Sequence, residues 1–478
     1  MINSFEEAYN HLRKHFCLFL FAVIVFTLLF LEILRKIFND YNYPPLNSHF
    51  RYILLAGILI SYILYVNLLS RYFSLGKLVV NKNLVLFSAI LFVFLSLIPP
   101  ILSIDLYEYV MRGRMSSLYG LNPFLTTPSA VPGDALFNII FWKNEVSVYG
   151  PLWSSFAWLI TRLTGSNDFF NILGFKFFIL IFYGLSCYVL YKLAKNIAPK
   201  AAYYITAAFM FNPYLMFMNL VESHNDIIII FFLIAGLYCL SKKKYILAVL
   251  MLDASIAVKY VTVLLLPLFI IYIIRNSGGV KKGFKIVSII IIVNFIFAYF
   301  VWVPFNMSTT DIMCLLEKIK FRLDTNTIPY ITYSFLKFFW QELDMNIFRR
   351  LADIAFMVIS LFIYLNFCVT RRYSLRYLIT SSLVLFIAYY IISSFQFGSW
   401  YIIWITPLIL LSKFPKKIIF MILVTLAGLI SFWKRISFLL ILSAAGYLFM
   451  VLQPKLYNFF LGVKFFGRRL VILGRTDE

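Results

Sequence analysis

The 478-residue chain is predicted to fold as an all-α polytopic membrane protein, and three observations predict it. Hydrophobic residues make up 62% of the chain and charged residues 13%, against the roughly 25% charge of an average soluble domain. Mean hydropathy is +0.89. Apolar runs near the ~20 residues that cross a ~30 Å hydrocarbon layer recur along most of the chain. The net charge of +23 resembles that of a nucleic-acid binder. Its basic clusters, however, sit in short gaps between apolar runs: Lys242-Lys243-Lys244, Lys281-Lys282, Arg371-Arg372 and Lys416-Lys417. This is the positive-inside distribution, so no nucleic-acid partner is expected. The cysteines Cys17, Cys187, Cys239, Cys314 and Cys368 lie far apart, in no disulfide framework and no metal-ligand spacing.

Taken in order, residues 1–15 carry Arg13, Lys14 and His15 and read as cytoplasmic. The run from Phe16 to Leu34 is long enough to remain as a span rather than a cleaved leader, and the first span is expected over 16–36. The second covers about 52–70 and the third about 84–103. Leu152 to Thr164 is apolar but short, as in a partly inserted helix. Further spans are expected near 169–190, 201–219, 227–241, 245–258, 260–274, 285–304, 348–368, 377–395, 401–412, 418–433 and 436–452. The total is twelve to fourteen. Lys and Arg in the other gaps set the two long intervals, about 104–151 and 305–346, on the extracytoplasmic side. The organisation is two N-terminal spans (1–83), a central core (84–412), and C-terminal spans with a basic cytoplasmic tail (413–478).

The interval from Ser103 to Pro151 is the longest polar-rich stretch. Connections of this length are functional or disordered, and its aromatic content argues against disorder. Asp105 stands at its start, where a membrane span ends. In a helix opened by Asp105, Glu108 and Arg112 share its face at i+3 and i+7. Asn122-Pro123 breaks that helix and Tyr149-Gly150-Pro151 closes the interval. On this topology Asp105, the Glu222–Asp226 segment, Lys259 and the Gln396–Tyr401 segment reach the same outer side from four separate hairpins. Ionisable groups gathered at span ends on one side mark a site. Each also has a plain reading. Asp105 suits a helix N-cap. Glu222, His224 and Asp226 suit a polar turn, or His224 a metal ligand between carboxylates, although an i, i+2 spacing does not share a helix face. Lys259 suits a snorkelling side chain. Trp400, Tyr401 and Trp404 suit an interfacial aromatic belt, which has no need of Gln396. Asp253 falls in mid-span, either paired with Lys259 or marking a misplaced span.

In their order along the chain these segments resemble the GT-C class of polyprenol-phosphate-sugar-dependent glycosyltransferases, in particular the bacterial α-mannosyltransferases of the mycobacterial mannopyranosyltransferase group. GPI mannosyltransferase I is similar more distantly. The resemblance rests on Asp105, Tyr107, Tyr109, Gly113-Arg114, Gly120, Asn122-Pro123-Phe124 and Tyr149 to Leu152. It continues through Asn212-Pro213, Glu222, His224-Asn225-Asp226, Lys259, Pro267, Gln396, Trp400-Tyr401 and Trp404, covering about 84–410. Phe124 stands where the class usually has Tyr, and Asp253 is unexpected in it.

The resemblance implies a GT-C-like helical bundle in the plasma membrane. It implies transfer of a hexose, mannose being the frequent case, from a polyprenyl-phosphate donor to a glycan or glycolipid acceptor outside the cell. The stereochemistry would invert, with Asp105 as general base. Charge growing on the departing phosphate needs cations and donors nearby, for which Arg112, Arg114, His224 and Lys259 are candidates. Glu222 and Asp226 are candidates for orienting His224 or binding sugar hydroxyls, and Gln396, Trp400 and Tyr401 for donor contacts. Glu108 and Tyr149 are secondary. No cofactor is implied, a divalent cation being left open. No Gly-rich phosphate loop following a strand is present. The rival reading is a transporter or lipid-linked-sugar flippase with a midplane site at Asp253 and Lys259, against which no internal two-fold repeat is visible.

Overall fold

The computed structural model describes residue 57 and residues 60–69, 82–320, 327–370, 373–395, 398–413 and 416–434. The expected spans 16–36 and 436–452, Gln396 and the basic tail lie outside these residues. All regular elements among the described residues are helices, with no strand among them. In chain order the helices are α1 (Ile60–Leu69), α2 (Lys82–Leu97), α3 (Asp105–Ser117), α4 (Pro151–Thr164), α5 (Asp168–Ile197), α6 (Ala202–Met210) and α7 (Pro213–Val221). They continue as α8 (Asp226–Ser241), α9 (Tyr245–Val258), α10 (Leu266–Asn276), α11 (Val280–Trp302), α12 (Thr309–Lys320), α13 (Ile328–Phe339), α14 (Met345–Val369), α15 (Leu375–Ile392), α16 (Thr406–Leu411) and α17 (Lys417–Lys434).

This is an all-α polytopic membrane protein. Among the described residues four helices are long and apolar enough to cross a bilayer, and a fifth if the bent pair Pro199–Met210 and Pro213–Val221 counts as one span. That is fewer full-length helices than the twelve to fourteen spans expected, because several of those runs are short or broken. The run 201–219 bends by 50° between its two halves. Asn212 causes the break: its Oδ1 accepts from the backbone N–H groups of Tyr214 and Leu215, while Pro213 begins the new helix. The run 260–274 starts as a 3₁₀ segment, Tyr260–Leu265, and 401–412 starts as another, Ser399–Trp404. The interval 305–346, read as a loop, contains α12 and α13. Thr327 caps α13 by accepting from Tyr330 N, with Pro329 in its first turn.

Residues Ile227–Ile230 and Leu233 of α8 are fully buried at the centre of the bundle. The apolar side chains Phe295, Tyr299 and Phe300 of α11 and Phe362 of α14 point outward, which is the surface a bilayer covers. The long interval after Asp105 is tied to its surroundings at three points. The Asn122 amide donates to the carbonyl of Phe305, and Phe124 packs on Phe305 and Trp302 with ring centroids 4.9 and 5.3 Å apart. Arg114 pairs with Asp134 at 3.2 Å, pairs also with Asp168, and donates to Ser166 O at 2.8 Å. At the far end Gly150 N donates to Val258 O at 2.9 Å.

Gly150 cannot carry a side chain, because a Cβ there would overlap the carbonyl of Ala257. Overpacking of this kind costs about 1–3 kcal/mol. Gly150→Ala is therefore expected to release the segment before α4 from the end of α9. Limited proteolysis should cut residues 104–150 faster in the variant than in the parent, and equal rates would refute the docking role.

Candidate active site

The site forms at one end of the bundle, where helices are interrupted rather than continuous. α3 begins there with Asp105, α8 begins there with Asp226, and α9 ends there at Lys259 in extended backbone. Before α8 the chain makes one turn of π-helix over Phe217–Val221 and then a tight turn in which Ser223 has φ 61°. A left-handed serine inside a fully buried turn is a strained conformation of the kind that gathers at functional sites.

Glu222 holds this turn against the strand of chain leading to Asp105. Its Oε1 accepts from Ile101 N and Leu102 N at 3.0 Å each, and its Oε2 from Leu102 N at 3.2 Å and Ser103 N at 2.8 Å. Burial pushes this carboxyl upward from its usual range, opposed by His224 and by the backbone donors. Lys176 of α5 secures the other side of the turn, donating to Val221 O at 2.8 Å and Ser223 Oγ at 3.2 Å. Sequence reading missed Lys176. Its signal was a single cation in the apolar run 169–190, the type of intramembrane charge that carries a role.

His224 is buried, and its Nδ1 stands 3.3 Å from Asp105 Oδ2. Its ring stacks on Trp400, centroids 4.3 Å apart and planes 13° from parallel. Asp226 Oδ1 accepts from Lys259 Nζ at 3.1 Å and from Trp404 Nε1 at 2.6 Å. The Lys259 ammonium also lies over Tyr401, 4.1 Å from the ring centroid, and Tyr401 stacks on Trp404 at 4.3 Å. Asn225 meets Tyr109, whose hydroxyl donates to Asn225 Oδ1 at 3.3 Å. Tyr109 in turn packs edge-on against Tyr149 at 5.2 Å. Full burial pushes the Tyr149 hydroxyl well above its ordinary value.

Asp105, Glu222, His224, Asp226, Lys259, Trp400, Tyr401 and, through Tyr109, Tyr149 are thus brought together. Arg112 and Arg114 are not. They lie seven and nine residues along α3, about 10–13 Å up the helix, and both serve the loop. Arg112 Nη2 donates to Trp142 O at 3.0 Å, and Arg114 makes the pairs described above. Glu108 joins Arg112: its Oε1 accepts from Phe141 N at 2.9 Å and Trp142 N at 2.8 Å, and Oε2 is 3.8 Å from Arg112. Burial raises the Glu108 carboxyl, with Arg112 pulling the other way. Asp253 does not pair with Lys259. It faces Asn294 on α11, whose amide, oriented to satisfy both groups, donates to Asp253 Oδ2 at 2.7 Å. Among the described residues no three His, Cys, Asp or Glu side chains stand close enough to share a metal ion.

Fold and site define a polytopic helical membrane protein with a polar, aromatic-lined centre at one end of its bundle. Residues 32–275, just over half the chain, match the family described as alpha-(1->6)-mannopyranosyltransferase, N-terminal domain, and the chain belongs to that family. A probable alpha-(1->6)-mannopyranosyltransferase of Mycolicibacterium smegmatis is 30% identical over 148 residues, which cover 29% of this chain and 25% of that protein. Alpha-(1->6)-mannopyranosyltransferase A of Mycobacterium tuberculosis is 21% identical over 187 residues, 39% of this chain and 36% of the relative. The chain thus aligns with about a quarter to a third of these relatives' length. The family match includes Asp105, the Glu222–Asp226 turn and Lys259, while Trp400, Tyr401 and Trp404 lie beyond it.

Proposed function

We propose that the protein is a membrane mannosyltransferase. It moves a mannosyl residue from a polyprenyl-phosphate donor to a hydroxyl of a glycan or glycolipid acceptor, on the extracytoplasmic side of the plasma membrane and with inversion. The observation that best supports this is the standing of Asp105 among the neighbouring carboxylates. Glu222 and Asp226 are fully buried and Glu108 nearly so, each engaged by the protein, whereas the Asp105 side chain is 15% exposed. Its Oδ2 faces His224 and its Oδ1 has no partner among the described residues.

In this scheme Oδ1 takes the proton of the acceptor hydroxyl as that oxygen attacks the anomeric carbon. The bond from that carbon to the phosphate oxygen breaks, and its electron pair leaves with the lipid phosphate. Lys259, 16% exposed and fixed by Asp226 and the Tyr401 ring, supplies positive charge where that phosphate departs. His224 keeps Asp105 oriented and offers a second polar group. The donor's lipid tail lies in the bilayer, which explains why the site sits at the end of a hydrophobic bundle rather than on a soluble domain.

The purified full chain, given a radiolabelled polyprenyl-phosphate mannose and a membrane glycolipid extract, is expected to form a new labelled glycolipid. Movement of donor across sealed vesicles with no new bond formed would replace this reading with a transporter. Within the assay, Lys259→Ala and His224→Ala are each expected to raise the donor KM roughly tenfold, the loss of one charge-assisted contact. An unchanged donor KM in both variants would remove these residues from the phosphate role.

A further inference from the structure

Glu108 and Arg112 form a buried clamp that the chemistry at Asp105 does not use. Glu108 accepts two backbone N–H groups and Arg112 donates to one carbonyl, and all three belong to Phe141 and Trp142. Burying a carboxylate and a guanidinium is costly unless they are paired and hydrogen-bonded. Here that investment fixes two residues whose side chains face outward: Phe141 is 70% exposed and Trp142 is 36% exposed. The two rings meet edge to face with centroids 4.9 Å apart, a rigid corner rather than two loose side chains.

The clamp also fixes where that corner stands. Glu108 follows Asp105 by one helical turn on the same face of α3, about 5–6 Å away between side-chain roots. The Glu108 carboxylate then touches the backbone of Phe141 and Trp142 directly. The aromatic corner is therefore tethered through Glu108 to the same turn of helix that carries Asp105.

We propose that Phe141 and Trp142 form the acceptor subsite, an aromatic platform on which a sugar ring of the glycan stacks while its terminal hydroxyl reaches Asp105. This rests on the transferase reading above and names the part of the site that receives the acceptor. The apolar face of a pyranose lies against an aromatic ring, and rigid aromatics supply that area at low entropic cost. Glu108 and Arg112 act as positioning residues.

The test uses the full chain in lipid nanodiscs and an α-linked mannobiose as the probe. Saturation-transfer NMR reads sugar binding without turnover, and the labelled-donor assay runs in parallel. Wild type and Phe141→Trp are expected to saturate the sugar ring protons. Phe141→Ala and Trp142→Ala are each expected to weaken that binding three- to tenfold while the donor KM stays unchanged, which also reports intact folding. No sugar signal with wild type, or an undiminished signal in both alanine variants, overturns the platform whatever the transfer assay shows. Loss of the signal as expected, with no transfer by wild type, leaves the platform standing and overturns the transferase reading instead. A brominated-lipid quenching component present in wild type and lost in Trp142→Phe, with sugar binding unaffected by that substitution, would assign the corner to the membrane surface and overturn the proposal.

Discussion

Asp105→Asn is expected to lower the rate of sugar transfer by about 10²–10⁴-fold, the usual share of a positioned general base, while the protein inserts and folds normally. The change is nearly isosteric, and it removes no helix cap, since Ile104 rather than Asp105 holds the N-cap position of α3. The surrounding bonds also survive it. Asp105 N donates to Ser103 Oγ at 3.1 Å through the backbone, and the Glu222 bonds end at Ser103. What disappears is the ability of the exposed oxygen to accept a proton and the charge facing His224. Single-turnover transfer in membranes, normalised to the amount of folded protein, measures the effect. Activity within twofold of the parent would eliminate Asp105 as the base.

Glu222→Ala is expected to abolish transfer by a different route, through loss of stability and of geometry together. The substitution strips the acceptor from three backbone N–H groups, those of Ile101, Leu102 and Ser103. Each buried donor left unmade costs about 1–3 kcal/mol. The chain that delivers Asp105 would then separate from the turn that delivers His224. Glu222→Gln retains an oxygen acceptor at one position and should fall between the two. The measurements are the thermal midpoint of the purified protein and the rate of transfer. A Glu222→Ala protein with unaltered melting and unaltered rate would show that these bonds do not hold the site together.

Much of the bundle was legible in the sequence. The spans 227–241 and 245–258 coincide with Asp226–Ser241 and Tyr245–Val258 to within a residue, because Lys242-Lys243-Lys244 punctuates them and their interiors are predominantly apolar, Asp253 being the one charged residue inside. The interrupted segments were harder. Composition does not distinguish 3₁₀ from α backbone, so Tyr260–Leu265 and Ser399–Trp404 read as plain helix. The juxtaposition of Asp105, His224, Asp226, Lys259, Trp400 and Tyr401 follows from charges at like-sided span ends. The partners of these groups do not. Glu222 bonds to residues about 120 positions earlier, and Arg112 reaches 30 positions later. No local spacing encodes such pairings. Basic residues near an acid suggest phosphate binding from sequence alone, yet the same guanidinium satisfies a loop carbonyl equally well.

Lys176 sits nine residues into a thirty-residue hydrophobic rod, with its ammonium anchored by carbonyls that the ribosome makes some forty residues later. A lysine entering hydrocarbon alone costs about 2.5–3.5 kcal/mol. During biogenesis that charge therefore lacks its carbonyl partners until the following bent segment has arrived. The end of the molecule that gathers Asp105 and His224 is in this sense tied to its own assembly: a chain that fails to build the turn around Ser223 leaves a cation without its carbonyl partners.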